Sequence, residues 1–173
     1  MSETIKTGDS LPDISVKAIV KDEIKDIQLS LLFADHSLMH PKDKKIVLFS
    51  VPGAFTPTCS AKHLPGFVEY YKDILDLGVD EIICIAVNDA FVMSAWEKDQ
   101  NAKGKVTLLA DGNGGFTKSL GLMFDGSKFG LGQRGQRFAI IIDNLKISHL
   151  AIEESGAFEV SSAENIIKIL KNT

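Results

Sequence analysis

One stretch, residues 46–66 with the sequence IVLFSVPGAFTPTCSAKHLPG, constrains the fold of this chain more than any other. It opens with an apolar run over residues 46–51, which is typical of a strand buried on both faces of a parallel sheet. Pro52 and Gly53 end that run, and a short turn with a second proline follows. The apolar spacing beyond Cys59 then predicts a long amphipathic helix. A strand, a turn and a helix therefore follow one another directly, with a thiol at the helix start.

The rest of the chain surrounds this segment with strand and helix patterns. The first half of the chain is predicted to form a hairpin over residues 13–28, a loop over 29–43 and a strand over 44–51. A helix follows from Cys59 to a stop at Gly78, which Pro65 should kink, and then a strand over 80–87 and a helix from a cap at Asn88 or Asp89 to about Ala102. The second half is predicted to form a strand over 106–110, a helix over 116–122, a glycine loop over 125–136, a hairpin over 138–152 that turns at Asp143-Asn144, and a last helix opened by a Ser161 and Glu164 capping box.

This order of elements predicts the fold class. Without the short strand and helix over residues 106–122, it is βαβ followed by ββα, which requires parallel strands joined by a right-handed crossover and an antiparallel hairpin on the same sheet. We therefore predict one α/β domain, residues 1–173, with a thioredoxin fold, an N-terminal β-hairpin extension, a short β-α insertion and a mixed central sheet flanked by helices. In such sheets active groups collect beyond the carboxyl ends of the strands, where residues 52–59 lie.

Composition narrows the classes of partner and compartment. A net charge of −4 argues against nucleic acid or an anionic membrane as the main partner. No apolar run approaches the length of a membrane span, and the first residues lack the apolar core of a signal peptide. Two cysteines in 173 residues do not form a disulfide framework. We expect a reducing, cytoplasmic location.

Cys59 is the first candidate functional residue. The thiolate is the reactive form of cysteine, and the unpaired N–H groups of a helix start favour that anion. The alternative is an inert core cysteine, which the polar, proline-rich surroundings argue against. A disulfide oxidoreductase would carry a second cysteine three residues away, where this chain has Thr56 and Lys62.

The motif around Cys59 resembles the active-site signature of peroxiredoxins. The residues that carry the resemblance are PGAFTPTCS at 52–60 and KHLPGF at 62–67, and the longer form is similar to the peroxiredoxin 5 group with its plant type II enzymes. Further similar stretches are VDEIIC at 79–84, VNDAFVM at 87–93, ADG at 110–112, GLG at 130–132, RFA at 137–139 and VSSAE at 160–164. The resemblance covers essentially the whole chain.

The resemblance implies a role for each matching residue. Cys59 matches the peroxidatic cysteine, which attacks a peroxide oxygen and becomes a sulfenic acid. Thr56 matches the threonine whose hydroxyl bonds the thiolate and the peroxide, and Pro52 the proline that shields the cysteine from water. The family also requires an arginine from a distant segment. Of the two arginines in the sequence, Arg137 directly precedes a strand as the family arginine does, and Arg134 is expected to support it.

Cys84 has two interpretations. It is either a resolving cysteine for the Cys59 sulfenic acid or a packed core residue, and its apolar strand favours the core residue. No cysteine follows residue 84. The simplest cycle then uses one cysteine and an external thiol, which is glutathione with glutaredoxin or thioredoxin. No metal, haem or flavin is implied, because sulfur itself changes oxidation state, and the resemblance implies a homodimer.

The sequence thus predicts a thiol-dependent peroxidase for hydrogen peroxide and small organic hydroperoxides. A peroxide sensor or holdase chaperone with little turnover is the alternative, since it shares the first chemical step. A disulfide oxidoreductase is disfavoured by Thr56. His63, one helical turn past Cys59, is expected to pack or to form a surface hydrogen bond, and Phe55, Phe91, Met93 and Trp96 are expected mostly in the core.

Overall fold

The computed structural model describes residues 3–33 and 44–173. The strands are β1 (Ser15–Val20), β2 (Glu23–Gln28), β3 (Lys45–Ser50), β4 (Glu81–Ala86), β5 (Thr107–Ala110), β6 (Met123–Asp125), β7 (Gln133–Gly135), β8 (Phe138–Asp143) and β9 (Lys146–Ile152). The α-helices are α1 (Leu64–Glu69), α2 (Tyr71–Asp76), α3 (Ala90–Asp99), α4 (Gly115–Ser119) and α5 (Ala163–Lys171). A π-helical turn spans Cys59–His63, and 3-10 turns span Leu29–Phe33 and Ser127–Phe129. Most of the predicted loop over 29–43 lies outside the described residues.

The central sheet confirms the predicted fold class. Its strand order is β2-β1-β5-β4-β3-β8-β9, with β3, β4 and β5 parallel and the other pairs antiparallel. This is a mixed sheet with the N-terminal hairpin at one edge and the β8-β9 hairpin at the other. The carboxyl ends of the three parallel strands meet at the same edge, and the segment after β3 begins there.

Alternation along β3 divides the core into two layers. Val47 and Phe49 point to the face covered by α1, α2, α3 and α5, whereas Ile46 and Leu48 point to the face covered by α4 and the N-terminal segment. All four side chains are buried, which is the pattern of a central strand covered on both sides. The apolar run read from the sequence is therefore the centre of the molecule.

The predicted glycine loop over 125–136 is shorter than expected, because it spans only residues 126–132 between two short strands. A second, two-stranded sheet pairs β6 with β7, and the amide of Gly126 donates to the carbonyl of Gly132. Its strands have only three residues each, too few for an alternation pattern to reveal them.

Helix α3 buries Met93 and Trp96 as predicted but exposes Phe91, which was expected in the core. Ala90, Met93 and Trp96 are buried, whereas Phe91 is 66% exposed. Ala95 is exposed as well. Asp89 caps the helix by accepting from the amide of Val92, while the side chain of Asn88 accepts from the amide of Ala54. Hydrophobicity alone placed too many residues on the inner face of this helix, because two of its apolar side chains lie on the surface.

The predicted helix after Cys59 is broken into pieces. The backbone is already helical at Pro57 and Thr58, passes through the π-helical turn, and is interrupted again at Tyr70 between α1 and α2. Gly78, at φ +95°, ends the segment as predicted. Leu75, expected on the inner face, is exposed.

One turn and one helix cap each lie one residue later in the sequence than predicted. The β8-β9 turn lies at Asn144-Leu145, both with left-handed φ, because Asp143 of β8 still pairs with Lys146 of β9. Ser162, not Ser161, caps α5 by accepting from the amide of Asn165. In the described ranges no helix has the length and apolarity that crossing a membrane requires.

Candidate active site

Cys59 lies in the first helical turn after β3 and is completely buried. The amide of Ser60 donates to the carbonyl of Thr56, so the backbone winds into a helix just before the thiol. The hydroxyl of Ser60 accepts a hydrogen bond of 3.0 Å from the indole of Trp96 on α3. The thiol is thus held on a turn that is fixed to a neighbouring helix.

Arg137, at the start of β8, reaches the thiol. Its Nη2 donates to Cys59 Sγ at 3.3 Å, and its Nη1 donates to His63 Nδ1 at 2.8 Å. The two acceptors lie 78 and 74 residues away in sequence. A guanidinium at this distance would stabilise negative charge on the sulfur atom during a reaction, since opposite charges attract. Its planar fork serves both acceptors together.

His63 is a neutral acceptor for that arginine. Burial, followed by the charge of Arg137, lowers the pKa of His63 to about 3. Because Nδ1 accepts from Arg137, the ring proton lies on Nε2, which donates to the carbonyl of Ser161 at 3.0 Å. The rings of Phe49, Phe67 and Phe158 surround the imidazole, at centroid distances of 4.8, 5.7 and 5.0 Å. His63 is therefore a buried link between the arginine and the C-terminal segment, rather than a surface hydrogen-bonding residue.

Thr56 and Pro52 belong to the turn before the thiol, and Arg134 contacts that turn. The hydroxyl of Thr56 donates to the carbonyl of Gly53 at 2.6 Å, which leaves lone pairs on its oxygen as acceptors. Arg134 donates to the carbonyls of Leu131 and Pro52, at 2.9 and 3.4 Å. It braces the turn that carries Pro52, whereas Arg137 contacts the sulfur.

A cavity of about 730 Å³ opens beside these residues, and Pro52, Thr56 and Arg137 line it. Its apolar wall is formed by Met123, Phe124, Phe129 and Leu131, and its acidic side by Asp125, Glu153 and Glu154. The cavity is large enough for a molecule with several carbon atoms. The polar end near Arg137 and the apolar wall would bind the two ends of such a molecule differently.

Cys84 lies in the middle of β4 and is completely buried. Burial raises the pKa of the Cys84 thiol well above its usual range, and the proximity of Cys59 raises it further. It therefore stays protonated and unreactive at neutral pH. Both cysteines are free thiols that belong to the same core layer.

Sequence reasoning missed three contributors to this site. Glu153 accepts hydrogen bonds from residues 159–161, Ser161 supplies the carbonyl that accepts from His63, and Phe158 packs on both His63 and Arg137. Glu153 and Phe158 lie outside the motifs quoted above, and Ser161 was predicted only as a helix cap, because all three contact the site only through the tertiary fold. Within the described part of the chain, no three His, Cys, Asp or Glu side chains gather where a metal ion could bind.

Comparison with known proteins identifies relatives by sequence and by structure. The profile of the Redoxin family matches residues 6–167. Peroxiredoxin-2B of Arabidopsis thaliana is 46% identical over 166 residues, covering 96% of this chain and 98% of that protein. The reduced Prx3 of Vibrio vulnificus in complex with H2O2 superposes with a TM-score of 0.88 at 44% identity, covering 96% and 99% of the two chains. The Plasmodium falciparum antioxidant protein, a 1-Cys peroxiredoxin, has a TM-score of 0.87 at 32% identity, covering 98% and 100%.

Proposed function

This chain belongs to the Redoxin family and is a thiol peroxidase of the type II, peroxiredoxin 5-like group, and on that premise we propose that Cys59 is its peroxidatic residue. The observation that carries the proposal is the bond from Arg137 Nη2 to Cys59 Sγ. It brings a fixed positive charge to a thiol at the carboxyl edge of the sheet.

The proposed step is a two-electron displacement at oxygen. The Cys59 thiolate attacks the terminal oxygen of ROOH, so that an S–O bond forms while the O–O bond breaks. Sulfur is oxidised to the sulfenic acid, and the departing alkoxide or hydroxide takes a proton from solvent to become alcohol or water. Arg137 stabilises the charge that moves from sulfur to the leaving oxygen, and the Thr56 oxygen accepts from the hydroperoxyl proton. Pro52 keeps water away from the sulfur.

We propose hydrogen peroxide and small organic hydroperoxides as substrates. The cavity beside Arg137 supports the second class, because its apolar wall of Met123, Phe124, Phe129 and Leu131 would take up a short hydrocarbon group. Burial of that group contributes roughly 25 cal/mol per Å² of apolar surface.

The recycling step is proposed to use one cysteine and an external thiol, either glutathione with glutaredoxin or thioredoxin. Cys84 is held protonated within a central strand, which makes it a poor resolving residue. Cys59 itself is completely buried, so the first helical turn must open before a reductant can reach the sulfenic acid.

The test is peroxide-dependent oxidation of a thiol donor by the wild type and by Cys59→Ser. We expect the variant to lose turnover completely, and retained activity would refute the assignment.

Arg137→Lys should keep the charge but lose at least tenfold in kcat/KM, because one ammonium cannot serve both acceptors. Little change would move the role to Arg134. Mass spectrometry of the oxidised wild type should show a sulfenic acid or mixed disulfide on Cys59, whereas a Cys59–Cys84 bridge would contradict the one-cysteine cycle.

A peroxide sensor or holdase chaperone with little turnover is the second candidate. The complete burial of Cys59 favours it, since restricted access by a reductant would leave the oxidised form long-lived. Sustained peroxide consumption with a reductant supports the peroxidase, and one equivalent followed by arrest supports the sensor.

We also propose that the protein is a homodimer in a reducing compartment such as the cytoplasm. Phe55, Phe91 and Phe129 are 52%, 66% and 69% exposed, and apolar side chains of this size on a surface favour an interface. The bond from the amide of Ala54 to the side chain of Asn88 ties the turn of Phe55 to the start of α3, which carries Phe91.

Two free thiols are consistent with a reducing compartment, although the relative Peroxiredoxin-2E of Arabidopsis thaliana is chloroplastic.

A further inference from the structure

Glu153 is a buried carboxylate whose hydrogen bonds all go to one short segment. Oε2 accepts from the amides of Glu159 and Ser161 at 2.7 and 2.9 Å and from the hydroxyl of Ser161 at 2.6 Å. Oε1 accepts from the amide of Val160 at 3.2 Å. Four donors from three consecutive residues fix the conformation of that segment around a single side chain.

The segment held by Glu153 contacts the active site at two points. The carbonyl of Ser161 accepts from His63 Nε2, and His63 Nδ1 accepts from Arg137 Nη1. Phe158, from the same segment, packs edge-on against the His63 ring and lies 5.8 Å from the guanidinium carbon of Arg137. A displacement of this segment would therefore change the orientation of both side chains.

Glu153 also lies next to Arg137 in the β8-β9 hairpin, since its amide donates to the carbonyl of Arg137 at 3.0 Å. Both side chains also line the same cavity, and an acid and an arginine on neighbouring backbone positions can ordinarily form an ion pair. Here the acceptor sites of Glu153 are occupied by residues 159–161, and the guanidinium instead bonds His63 and Cys59.

We propose that Glu153 is a positioning residue for the peroxidase reaction, which orients Arg137 through the segment 158–161 and the imidazole of His63. The proposal rests on the function proposed above for Cys59 and Arg137. Glu153 does not touch the reacting sulfur. It sets the position of the carbonyl that fixes the proton of His63 on Nε2, and this leaves Nδ1 as the acceptor that aims the guanidinium at Cys59.

The experiment compares wild type with Glu153→Gln, which keeps the side-chain shape but replaces one acceptor oxygen with an amide donor. The ultraviolet absorbance of the Cys59 thiolate at neutral pH should fall, and kcat/KM for hydrogen peroxide should fall about 10- to 100-fold, the effect of a small misplacement of a catalytic group. Glu164→Gln, which removes an exposed carboxylate from the first turn of α5, should match the wild type in both measurements. Circular dichroism and thermal unfolding establish that each variant is folded.

A second comparison separates positioning from general stability. In an Arg137→Met background, Glu153→Gln should add less than about a twofold loss, because the residue acts through the missing guanidinium. Equal losses in both backgrounds would show a structural role only and would overturn the proposal. Wild-type absorbance and rate in a folded Glu153→Gln protein would overturn it as well.

If Glu153→Gln does not fold, Ser161→Ala serves in its place, since it removes the shortest of the four bonds and leaves the backbone carbonyl. We expect a loss of about two- to tenfold in the same direction, and an unchanged rate and absorbance would overturn the proposal. The proposed function fails separately, if Cys59→Ser retains peroxide turnover. The thiolate absorbance is measured without peroxide and therefore tests the positioning on its own.

Discussion

Arg137 satisfies two acceptors that the sequence separates widely from it. Its Nη atoms donate to a sulfur and to a ring nitrogen, and both acceptors belong to the same π-helical turn. Because His63 is neutral and buried, it orients the guanidinium without neutralising its charge. The residue chemistry of the site therefore depends on the protonation state of a histidine that does not itself contact the sulfur atom.

The depressed pKa of His63 predicts a pH dependence of stability. The unfolded chain binds a proton at this position below about pH 6.5, whereas the folded chain does so only near pH 3. The stabilising contribution is complete above the unfolded-state pKa and is lost as the pH falls toward the folded value, by about 1.4 kcal/mol per pH unit. Denaturant unfolding of wild type between about pH 6.5 and 5 should show this slope in the free energy of unfolding, and His63→Gln should lack it. Parallel slopes in the two proteins would contradict the assigned neutral state.

Cys84 provides a second residue-scale prediction. Cys84→Ala removes a sulfur from a fully packed position, so we expect the free energy of unfolding to fall by about 1–2 kcal/mol. Turnover of peroxide with glutathione and glutaredoxin, or with thioredoxin, should stay at the wild-type level because the thiol is protonated and enclosed. A tenfold loss of turnover in the folded variant would instead identify Cys84 as the resolving residue.

At the scale of elements, the site depends on contacts between segments as much as on the helix that carries the thiol. Trp96 of α3 donates a hydrogen bond to Ser60 near the start of the π-helical turn. Ser161, in the segment 158–161, accepts one from His63, which is the last residue of that turn. The N-terminal segment makes a comparable contact elsewhere, since the amide of Ile5 donates to the carbonyl of Leu120 after α4.

Gly121 tests the packing of that N-terminal segment. A Cβ at Gly121 would lie 2.7–2.9 Å from backbone atoms of Glu3 and Thr4, which cannot rotate away, and φ there is +70°. Gly8 also has a positive φ, but its Cβ would meet nothing within 4 Å. We expect Gly8→Ala to cost about 1 kcal/mol of unfolding free energy from backbone conformation alone, and Gly121→Ala at least 2 kcal/mol more because of the clash. Equal losses in denaturant unfolding would show that the segment does not pack there.

At the scale of the whole molecule, several aromatic side chains lie on the surface of the isolated chain, where a second subunit could bury them. Phe91 stands on the outer face of α3, and Phe55 has a left-handed φ of +63°, a conformation that a bulky residue rarely adopts. Phe129 lines the cavity beside Arg137. The proposed homodimer would cover such side chains and would place its interface beside the site.

Phe91→Asp tests the dimer. We expect sedimentation velocity to show the variant as a monomer at concentrations where the wild type is dimeric, since a buried, unpaired carboxylate opposes association. Ile24→Asp, at an exposed apolar position on the edge strand β2, is the matched control and should sediment as wild type. A dimeric Phe91→Asp protein would place the interface elsewhere.

The sequence by itself determined the sheet, the position of the thiol at its carboxyl edge and the family motif around Cys59. These are local properties, since they follow from apolar periodicity, proline turns and the spacing of residues 52–67. It did not determine the exposure of Phe91 on α3, the sheet formed by β6 and β7, the helix cap at Ser162 or the turn at Asn144-Leu145. Each of those depends on which neighbouring segment competes for the same side chain or backbone group.

Only the tertiary structure decided which residues surround the sulfur atom. Arg137 and Arg134 are three residues apart and chemically identical, yet one donates to Cys59 and the other to backbone carbonyls. The reason is that Arg134 lies in β7, which pairs with β6, whereas Arg137 directly precedes β8, which pairs with β3. Glu153 carries no sequence signal, and Ser161 was predicted only as a helix cap, because both reach the site through folded contacts alone. Periodicity and motifs report on neighbours along the chain, whereas hydrogen bonds across 74 or 98 residues form only once the packed sheet and helices bring the partners together.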